Sequence, residues 1–260
     1  MRPIGSQLEE RTLMTTSTVQ KRWMRRGCLV QLIACSLSAA NSAWAAPTDA
    51  TPRPAAPAEK PRTEADRRMR GFLLGGGIGG AVPGGDISEG LQFGEVVDSF
   101  VLGRLDAGYR FNERWLLGAY FEGGSGSINT SSLAACDDPT VECSAGLVRI
   151  GVQARGYLLT ESRFQPWGGA GFGYEWFAFN AEDEGYDDSV TISAKGAEHL
   201  RLTLGLDIWA GHNHFASAQI GYTLGKYGEA TYSDSLYGTT DLEGSAHHSV
   251  TFAVTYNLML

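Results

Sequence analysis

Downstream of its N-terminal region the sequence lacks any stretch of 18 or more apolar residues, and this excludes a transmembrane helix there. Positive charge is scarce as well: 21 Lys and Arg stand against 29 Asp and Glu in 260 residues, and the mean hydropathy is only −0.16. The chain instead has 34 glycines and 10% aromatic residues, which occur in short runs between polar clusters. This composition indicates a fold of many strands and turns, either a soluble β-protein or a membrane β-barrel.

The N-terminal region has the order of an export signal. A basic patch (Lys21, Arg22, Arg25, Arg26) precedes a mostly apolar run, and Ala43-Trp44-Ala45 then supplies small residues at the two positions that a signal peptidase reads. We therefore predict a signal peptide over residues 1–45, with Met14 and Met24 as alternative starts. Leu32-Ile33-Ala34-Cys35 also resembles a lipobox, so lipidation of Cys35 is the alternative to cleavage after Ala45.

The remaining chain divides into a linker and one domain. Residues 46–70 are rich in Pro and Ala with almost nothing apolar, which predicts a disordered periplasmic linker. Removing residues 1–45 leaves 15 basic and 27 acidic residues, a net charge of −12, which argues against a nucleic-acid partner. Of the four cysteines, Cys136 and Cys143 stay in one polar loop, and we predict a disulfide between them. Metal binding is the alternative, but no His lies nearby.

From residue 71 onward the apolar residues recur with a period of two, which predicts β-strands. In the last segment Val250, Phe252 and Val254 begin an apolar face that runs to Leu260. The same alternation recurs in seven earlier segments of roughly 9 to 13 residues, the length of a tilted membrane-spanning strand; they begin near Phe72, Val101, Trp115, Val148, Ala170, Leu200 and Ala216. The connections alternate between short ones (near Asn112, Ser162 and His212) and long ones (near Gly90, Cys136, Glu184 and Ser235). These features predict an all-β fold, an eight-stranded antiparallel up-and-down transmembrane β-barrel over residues 71–260.

Four segments carry a family resemblance: "LDAGYRFNERWLLGAYFEGG", "PWGGAGFGYEWF", "IGYTLGKYG" and "VTFAVTYNLML". They resemble the outer-membrane β-barrel superfamily of OmpA-like and OmpW-like eight-stranded proteins, over residues 71–260. The resemblance implies location in the outer membrane, outer-membrane lipids and lipopolysaccharide as surroundings, and recognition of the C-terminal strand by the barrel-assembly machinery. Leu260 departs from the family, whose last residue is usually aromatic.

Charged residues alternate with the apolar residues, so they are expected to face the lumen, because a charge on the lipid face is costly. Four are basic and four are acidic, and an eight-stranded lumen is only wide enough for side chains. We therefore predict an ion-pair network that plugs the lumen; a proton or ion path through the same groups is the alternative. The predicted network consists of Arg104, Asp106, Glu122, Arg149, Arg155, Glu175, Arg201 and Asp207.

Three weaker signals remain. Acidic residues cluster near Glu184 (Glu182, Asp183, Glu184, Asp187, Asp188) and at Asp137 and Asp138. We interpret them as solvated loop residues, with calcium binding as the alternative. His247 and Ser249 could form a hydrolase pair of a lipid A-modifying enzyme, but no acid stands at a motif position. Aromatic residues near strand ends are interpreted as interfacial girdles: Phe111, Trp115, Phe164, Trp167, Trp176 and Tyr227.

The sequence thus predicts a non-enzymatic structural or surface-interaction protein without a cofactor, with a narrow porin-like channel as the alternative.

Overall fold

The computed structural model describes residues 70–160, 162–183, 188–211 and 213–260. The predicted signal peptide and nearly all of the predicted linker lie outside the described residues. Within these ranges no helix is long and apolar enough to cross a membrane.

Eight long strands form a closed antiparallel ring. Each strand pairs with its neighbours along the chain, and the last strand pairs with both the first and the seventh, which closes the sheet. The eight are β1 (Gly71–Ser88), β3 (Val97–Arg110), β4 (Trp115–Ile128), β5 (Val141–Tyr157), β6 (Phe164–Asp183), β7 (Asp188–Trp209), β8 (His214–Asp234) and β10 (Ala246–Met259). The predicted eight-stranded up-and-down barrel is confirmed.

The connections give the barrel two different ends. Short turns at 111–114, 158–163 and 210–213 share the lower end with Gly71 and Met259, the two ends of the ring. The upper end carries further elements: strand β2 (Leu91–Gln92), helix α1 (Phe93–Val96), a 3-10 helix (Ala134–Asp137) and strand β9 (Gly238–Leu242), which pairs with β8. The long loop predicted near Glu184 is wrong, because β6 and β7 pair up to Asp183 and Asp188 and only residues 184–187 join them.

Large apolar side chains cover the outside of the ring. On β10, Val254 is 58% exposed, whereas Thr255 beside it is 4% exposed and faces the lumen. All eight strands repeat this alternation because successive side chains of a strand point to opposite faces. We call the exposed apolar side chains of the eight strands the apolar belt; it includes Leu74, Val101, Leu117, Ile150, Phe172, Leu204, Ile220 and Val254.

Four neighbouring strands continue above the apolar belt. Strands β5 to β8 are 17 to 22 residues long and β1 has 18, so the predicted strand length of roughly 9 to 13 residues is wrong for these five. Strands β3, β4 and β10 have 14 residues each, just above the predicted length. Small and hydroxyl-bearing side chains replace the large apolar ones on the upper outer face of β5 to β8, while the backbone pairing continues. We call this extension the upper wall; it comprises residues 141–147, 177–183, 188–199 and 225–234. The apolar pattern stops at the edge of the belt, so it does not reveal where the strands end.

Buried side chains form three layers inside the lumen. A lower apolar cluster contains Leu73, Leu116, Tyr157, Trp167, Phe215 and Met259. Buried charged residues occupy the middle of the lumen, and a larger apolar cluster closes the upper end. The upper cluster includes Phe93 and Val96 of helix α1, which are 1% and 0% exposed. The connection between β1 and β3 therefore folds inward, and it covers the charged layer.

Candidate functional site

All eight residues of the predicted network lie on the inner face of the barrel, and none is more than 3% exposed. Arg104 and Asp106 come from β3, Glu122 from β4, and the other five from β5, β6 and β7. Their alternation with belt residues places them inward, because each strand has only one face toward the lumen.

Glu122 is the centre of the layer. Arg104 donates from Nη1 to its Oε1 at 2.5 Å, and Arg201 donates to both carboxylate oxygens at 2.6 and 2.9 Å. Arg149 Nη1 lies 3.9 Å from Oε2. Strand register places Glu122 directly between Arg104 on β3 and Arg149 on β5, so cross-strand pairing sets these contacts.

Asp106 forms a second centre just below. Arg104 donates to it through Nε and Nη2, both at 2.8 Å, and Arg155 Nη2 lies 2.9 Å from its Oδ1. The amide of Gln153 donates to the same Oδ1 at 2.7 Å. Arg155 also stacks over the ring of Trp167 at 4.5 Å, which joins the charged layer to the lower apolar cluster.

Glu175 forms a third centre at the upper side of the charged layer. It accepts hydrogen bonds from Arg149 and from the hydroxyl of Tyr227, and His247 Nε2 lies 3.2 Å from its Oε1. The rings of Tyr227 and His247 stack with centroids 4.1 Å apart. Phe93 packs over both rings, so this centre is covered by helix α1.

Asp207 departs from the predicted ion pairing. It accepts hydrogen bonds from three uncharged donors: Tyr157 at 3.0 Å, Trp167 Nε1 at 2.7 Å and Ser217 at 2.6 Å. Among the described residues it forms no ion pair within salt-bridge distance. The prediction of an ion pair at this position is wrong, because Asp207 lies low in the lumen beside the aromatic residues of the lower cluster.

Sequence reasoning missed Glu198. Arg201 lies 3.6 Å from Glu198, and the hydroxyls of Tyr120 and Thr223 donate to its carboxylate. Along β7 the residues that face the lumen have odd numbers from Arg201 to the lower end of the strand, but even numbers from Glu198 to its upper end. A β-bulge between Glu198 and Arg201 adds one residue and so exchanges the two faces. The sequence shows no signal for this bulge, so strict alternation places Glu198 on the wrong face.

Arg110 was also missed, although it lies on the same lumen-facing side of β3 as Arg104 and Asp106. It is 1% exposed, donates to Gln165 at 3.1 Å and lies 3.9 Å above the ring of Tyr157. With Arg110 and Glu198 included, the lumen below the upper wall holds five arginines and five carboxylates, while Asp188 and Asp234 are buried higher, at the upper ends of β7 and β8. Below the upper wall the formal charges therefore balance: Arg104, Arg110, Arg149, Arg155 and Arg201 stand against Asp106, Glu122, Glu175, Glu198 and Asp207.

The predicted hydrolase pair is not assembled in this structure. Ser249 accepts a hydrogen bond from Arg149 at 3.0 Å, whereas His247 faces Glu175. Both side chains face the lumen, 1% and 3% exposed, beneath helix α1. Glu175 is an acid that could orient His247; the sequence placed it in the lumen network but not beside this histidine, and the serine belongs to a different set of contacts.

The disulfide between Cys136 and Cys143 is present. It joins the 3-10 helix to the start of β5, and both sulfur-bearing side chains pack against the upper apolar cluster. In the same loop the amide and hydroxyl of Thr140 donate to Asp138, and they hold the pKa of that carboxyl below its usual range. The bond ties the second upper connection to the top of the barrel.

The acidic residues near the upper end are not collected into one loop. Glu182, Asp183 and Asp188 lie within strands β6 and β7, and Glu184 and Asp187 lie outside the described residues. No group of three or more His, Cys, Asp or Glu side chains with metal-binding geometry occurs in the described ranges.

The predicted aromatic girdle is partly wrong. Phe111, Trp115, Phe164 and Trp176 are exposed on the outer face, between 42% and 57%. Trp167 and Tyr227 are 2% and 0% exposed. They lie on the faces of β6 and β8 that point toward the lumen, so they pack inside the barrel.

No protein-family model and no curated protein sequence matches the chain. Among solved structures, Neisserial surface protein A is similar at 15% identity with a TM-score of 0.46, covering 73% of this chain and 97% of that one. The outer membrane protein OprG from Pseudomonas aeruginosa is similar at 14% identity with a TM-score of 0.44, covering 74% of this chain and 96% of that one. The attachment invasion locus protein Ail of Yersinia pestis is similar at 12% identity with a TM-score of 0.45, covering 73% and 100%. The strand pairing itself confirms the predicted architecture of OmpA-like and OmpW-like eight-stranded barrels.

Proposed function

We propose that this chain is an outer-membrane β-barrel protein with a closed lumen and a structural or surface-interaction role in the cell envelope. The observation that carries the proposal is the combination of a ring-wide apolar belt outside with a filled lumen inside. An apolar belt on a closed barrel suits a bilayer, because the ring leaves no unpaired strand edge in the hydrocarbon. A lumen filled in three layers leaves the two ends of the barrel as the surfaces that can act.

The upper end is assigned to the cell exterior. Transmembrane barrels of this class have short periplasmic turns and longer extracellular connections, and this chain has both ends of its ring on the short-turn side. The upper wall and the β8–β9 hairpin then project from the cell, and helix α1 lies inside the upper end of the barrel. At the tip of that hairpin Leu236 and Tyr237 are 65% and 72% exposed, which is the kind of side chain that protein partners bury.

Surface labelling tests the location and the orientation together. Tyr237→Cys places a thiol at the upper tip, and Asn112→Cys places one in a lower turn; the native Cys136 and Cys143 are bonded to each other. We expect a membrane-impermeant maleimide to label Tyr237→Cys on intact cells and Asn112→Cys only after lysis. Labelling in the opposite order, or recovery of the protein outside the outer-membrane fraction, would overturn the assignment.

The proposal that the protein is not an enzyme rests on the enclosure of its nucleophile candidates. Ser249 and His247 are buried and point into the lumen rather than toward lipid, and Phe93 packs beside His247. We expect the mass spectrum of lipid A to be unchanged when the protein is overexpressed. A new lipid A species that disappears with Ser249→Ala would establish the enzymatic alternative.

A narrow ion path is the second candidate, and one observation favours it. Arg149, Arg155 and Arg201 each keep at least one buried N–H group without a hydrogen-bond partner in the described part of the chain. Buried polar groups of this kind commonly bind water, and a chain of waters could carry ions past the carboxylates. Conductance measurements separate this candidate from the closed lumen.

A further inference from the structure

Exposed cations on the barrel divide between its two ends. Arg70, Arg114 and Arg163 are exposed at the lower end. Lys195 on β7 and Lys226 on β8 are the only lysines from residue 70 to residue 260, and both face outward just above the apolar belt. The other exposed charged groups of the upper end include the carboxylates of Glu142, Glu182 and Glu229. Positive charge on the upper outer surface is therefore confined to one side of the barrel.

A groove lies on the outer face of the upper wall. Lys195 lines it, and Lys226 lies just below, paired with Ala197. Its floor is a row of small side chains paired across four strands, namely Gly146, Ala178, Ser193 and Thr231. The row below carries taller side chains, Trp176 and Lys195 with Glu229, which form the lower rim. The volume of the groove is about 530 Å³. It is therefore a recess in the barrel wall, wide enough for part of a ligand.

The chemistry of the groove changes from bottom to top. Below it, Leu200, Tyr222 and Leu224 belong to the apolar belt. At its rim the rings of Trp176 and Tyr174 lie 4.7 Å apart, as expected of aromatic residues at a membrane interface. Within it Ser193 and Thr231 share a hydrogen bond at 2.7 Å. A ligand that matches this order has acyl chains below, an anionic group at the level of the lysines and a polyhydroxyl part above.

We propose that this groove binds one molecule of a phosphorylated glycolipid of the outer leaflet. The inference rests on the proposed insertion of the barrel in the outer membrane. Lys226 has no charged partner among the described residues and is exposed, so its ammonium is available to a phosphate. Trp176 offers a ring face to a sugar, and the hydroxyls of Ser193 and Thr231 offer donors and acceptors above it.

The pair of Lys195 and Glu229 does not prevent this binding. Lys195 Nζ lies 2.7 Å from Glu229 Oε2, but the side chains are 48% and 69% exposed. Such a solvent-exposed pair contributes little and breaks easily, so Lys195 can exchange the carboxylate for a phosphate. Glu142 and Glu182 lie on the same outer face, four residues above Gly146 and Ala178, so they repel a phosphate from the upper part of the groove and leave the level of the two lysines as the favourable position.

Native mass spectrometry of the full-length folded protein tests the inference, with bisphosphoryl lipid A and its dephosphorylated form as probes. We expect one lipid A to bind, and we expect Lys195→Gln/Lys226→Gln to weaken binding on the order of 30-fold, since each lysine near an anionic lipid surface contributes about 5-fold. The matched control Arg114→Gln/Arg163→Gln removes two cations from the lower end and is expected to bind within 2-fold of the parent protein. Equal binding of the dephosphorylated lipid, or equal loss in both double variants, would overturn the inference.

A second variant separates the groove from simple surface charge. Ser193→Trp fills the floor and leaves both lysines in place, so we expect it to lose binding as well; binding unchanged in this variant would refute the groove as the site. Insertion of each variant into phosphatidylcholine vesicles is followed by heat-dependent gel mobility. A barrel that inserts but binds no lipid A contradicts only this inference, whereas a barrel that does not insert contradicts the proposed function.

Discussion

Phe93 of helix α1 packs edge-on against Phe177 of strand β6, with ring centroids 5.0 Å apart. The contact joins the first upper connection to the opposite side of the barrel and holds the helix inside the upper end. Phe93 also packs near Tyr227 and His247, which contact Glu175. Phe93 thus connects the cover of the charged layer to strands β6, β8 and β10.

Phe93→Ala is expected to lower the free energy of unfolding by about 3–5 kcal/mol, the usual cost of removing a buried aromatic side chain. Urea unfolding in lipid vesicles, followed by tryptophan fluorescence, measures the change. Tyr237→Ala is the matched control, because Tyr237 is 72% exposed and its removal should change stability by less than about 0.5 kcal/mol. Equal effects of the two substitutions would show that helix α1 is not packed in the lumen.

Glu122→Gln is expected to destabilise the barrel by about 3–5 kcal/mol, because it leaves buried arginines without their shared carboxylate. Arg104 and Arg201 both donate to Glu122. The control is Glu229→Gln on the outer face, where the pair with Lys195 is exposed and contributes at most about 1 kcal/mol. The same urea titration reports both values, and a Glu122→Gln variant as stable as the control would refute a connected ion-pair layer.

Leu204→Arg is expected to cost about 2–4 kcal/mol in a bilayer, because it places a charge in the middle of the apolar belt. Leu204 is 66% exposed on the outer face of β7. Ser127→Arg, on the outer face of β4 opposite Ser99 and above the belt, should fold and insert almost as well as the parent protein. If the two variants insert into vesicles with equal yield, the apolar belt does not face lipid.

Reduction of the disulfide is expected to loosen one connection without unfolding the barrel. Cys136 and Cys143 enclose a short loop, and its closure is worth about 2–3 kcal/mol in the chain-entropy model. Limited proteolysis should cut residues 129–140 only after reduction, while the heat-dependent gel mobility of the barrel stays unchanged. Cleavage at the same rate with and without reductant would show that the bond does not order this loop.

Much of the fold follows from the sequence because a closed barrel in a bilayer enforces strict alternation. Val250, Phe252 and Val254 mark the outer face of β10, and the same rule places Arg104, Glu122 and Arg149 in the lumen. The rule fails at Glu198, where a bulge in β7 reverses the parity. It also fails above the belt, where strands β6 and β7 continue with Ser, Thr and Ala side chains that carry no apolar signal.

The cover of the lumen could not be predicted from periodicity. Phe93 lies in a four-residue helix within a connection, where neither a strand nor a helix period can be recognised. Its position depends on the space left between Phe177 and Tyr227, which only the assembled ring defines. Asp207 shows the same limit. Its inward direction follows from alternation, but its uncharged partners depend on which residues of other strands lie at the same level of the lumen.

Single-channel conductance in a planar bilayer tests the closed lumen most directly. The purified barrel is refolded, its insertion is verified by heat-dependent gel mobility, and current is recorded across a range of voltages. The three filled layers, with Phe93 above and Trp167 below the charged residues, predict an inserted protein without steady openings. Steady openings of the inserted barrel, abolished or altered in Glu122→Gln, would contradict the closed lumen and establish the ion path through the same arginines and carboxylates.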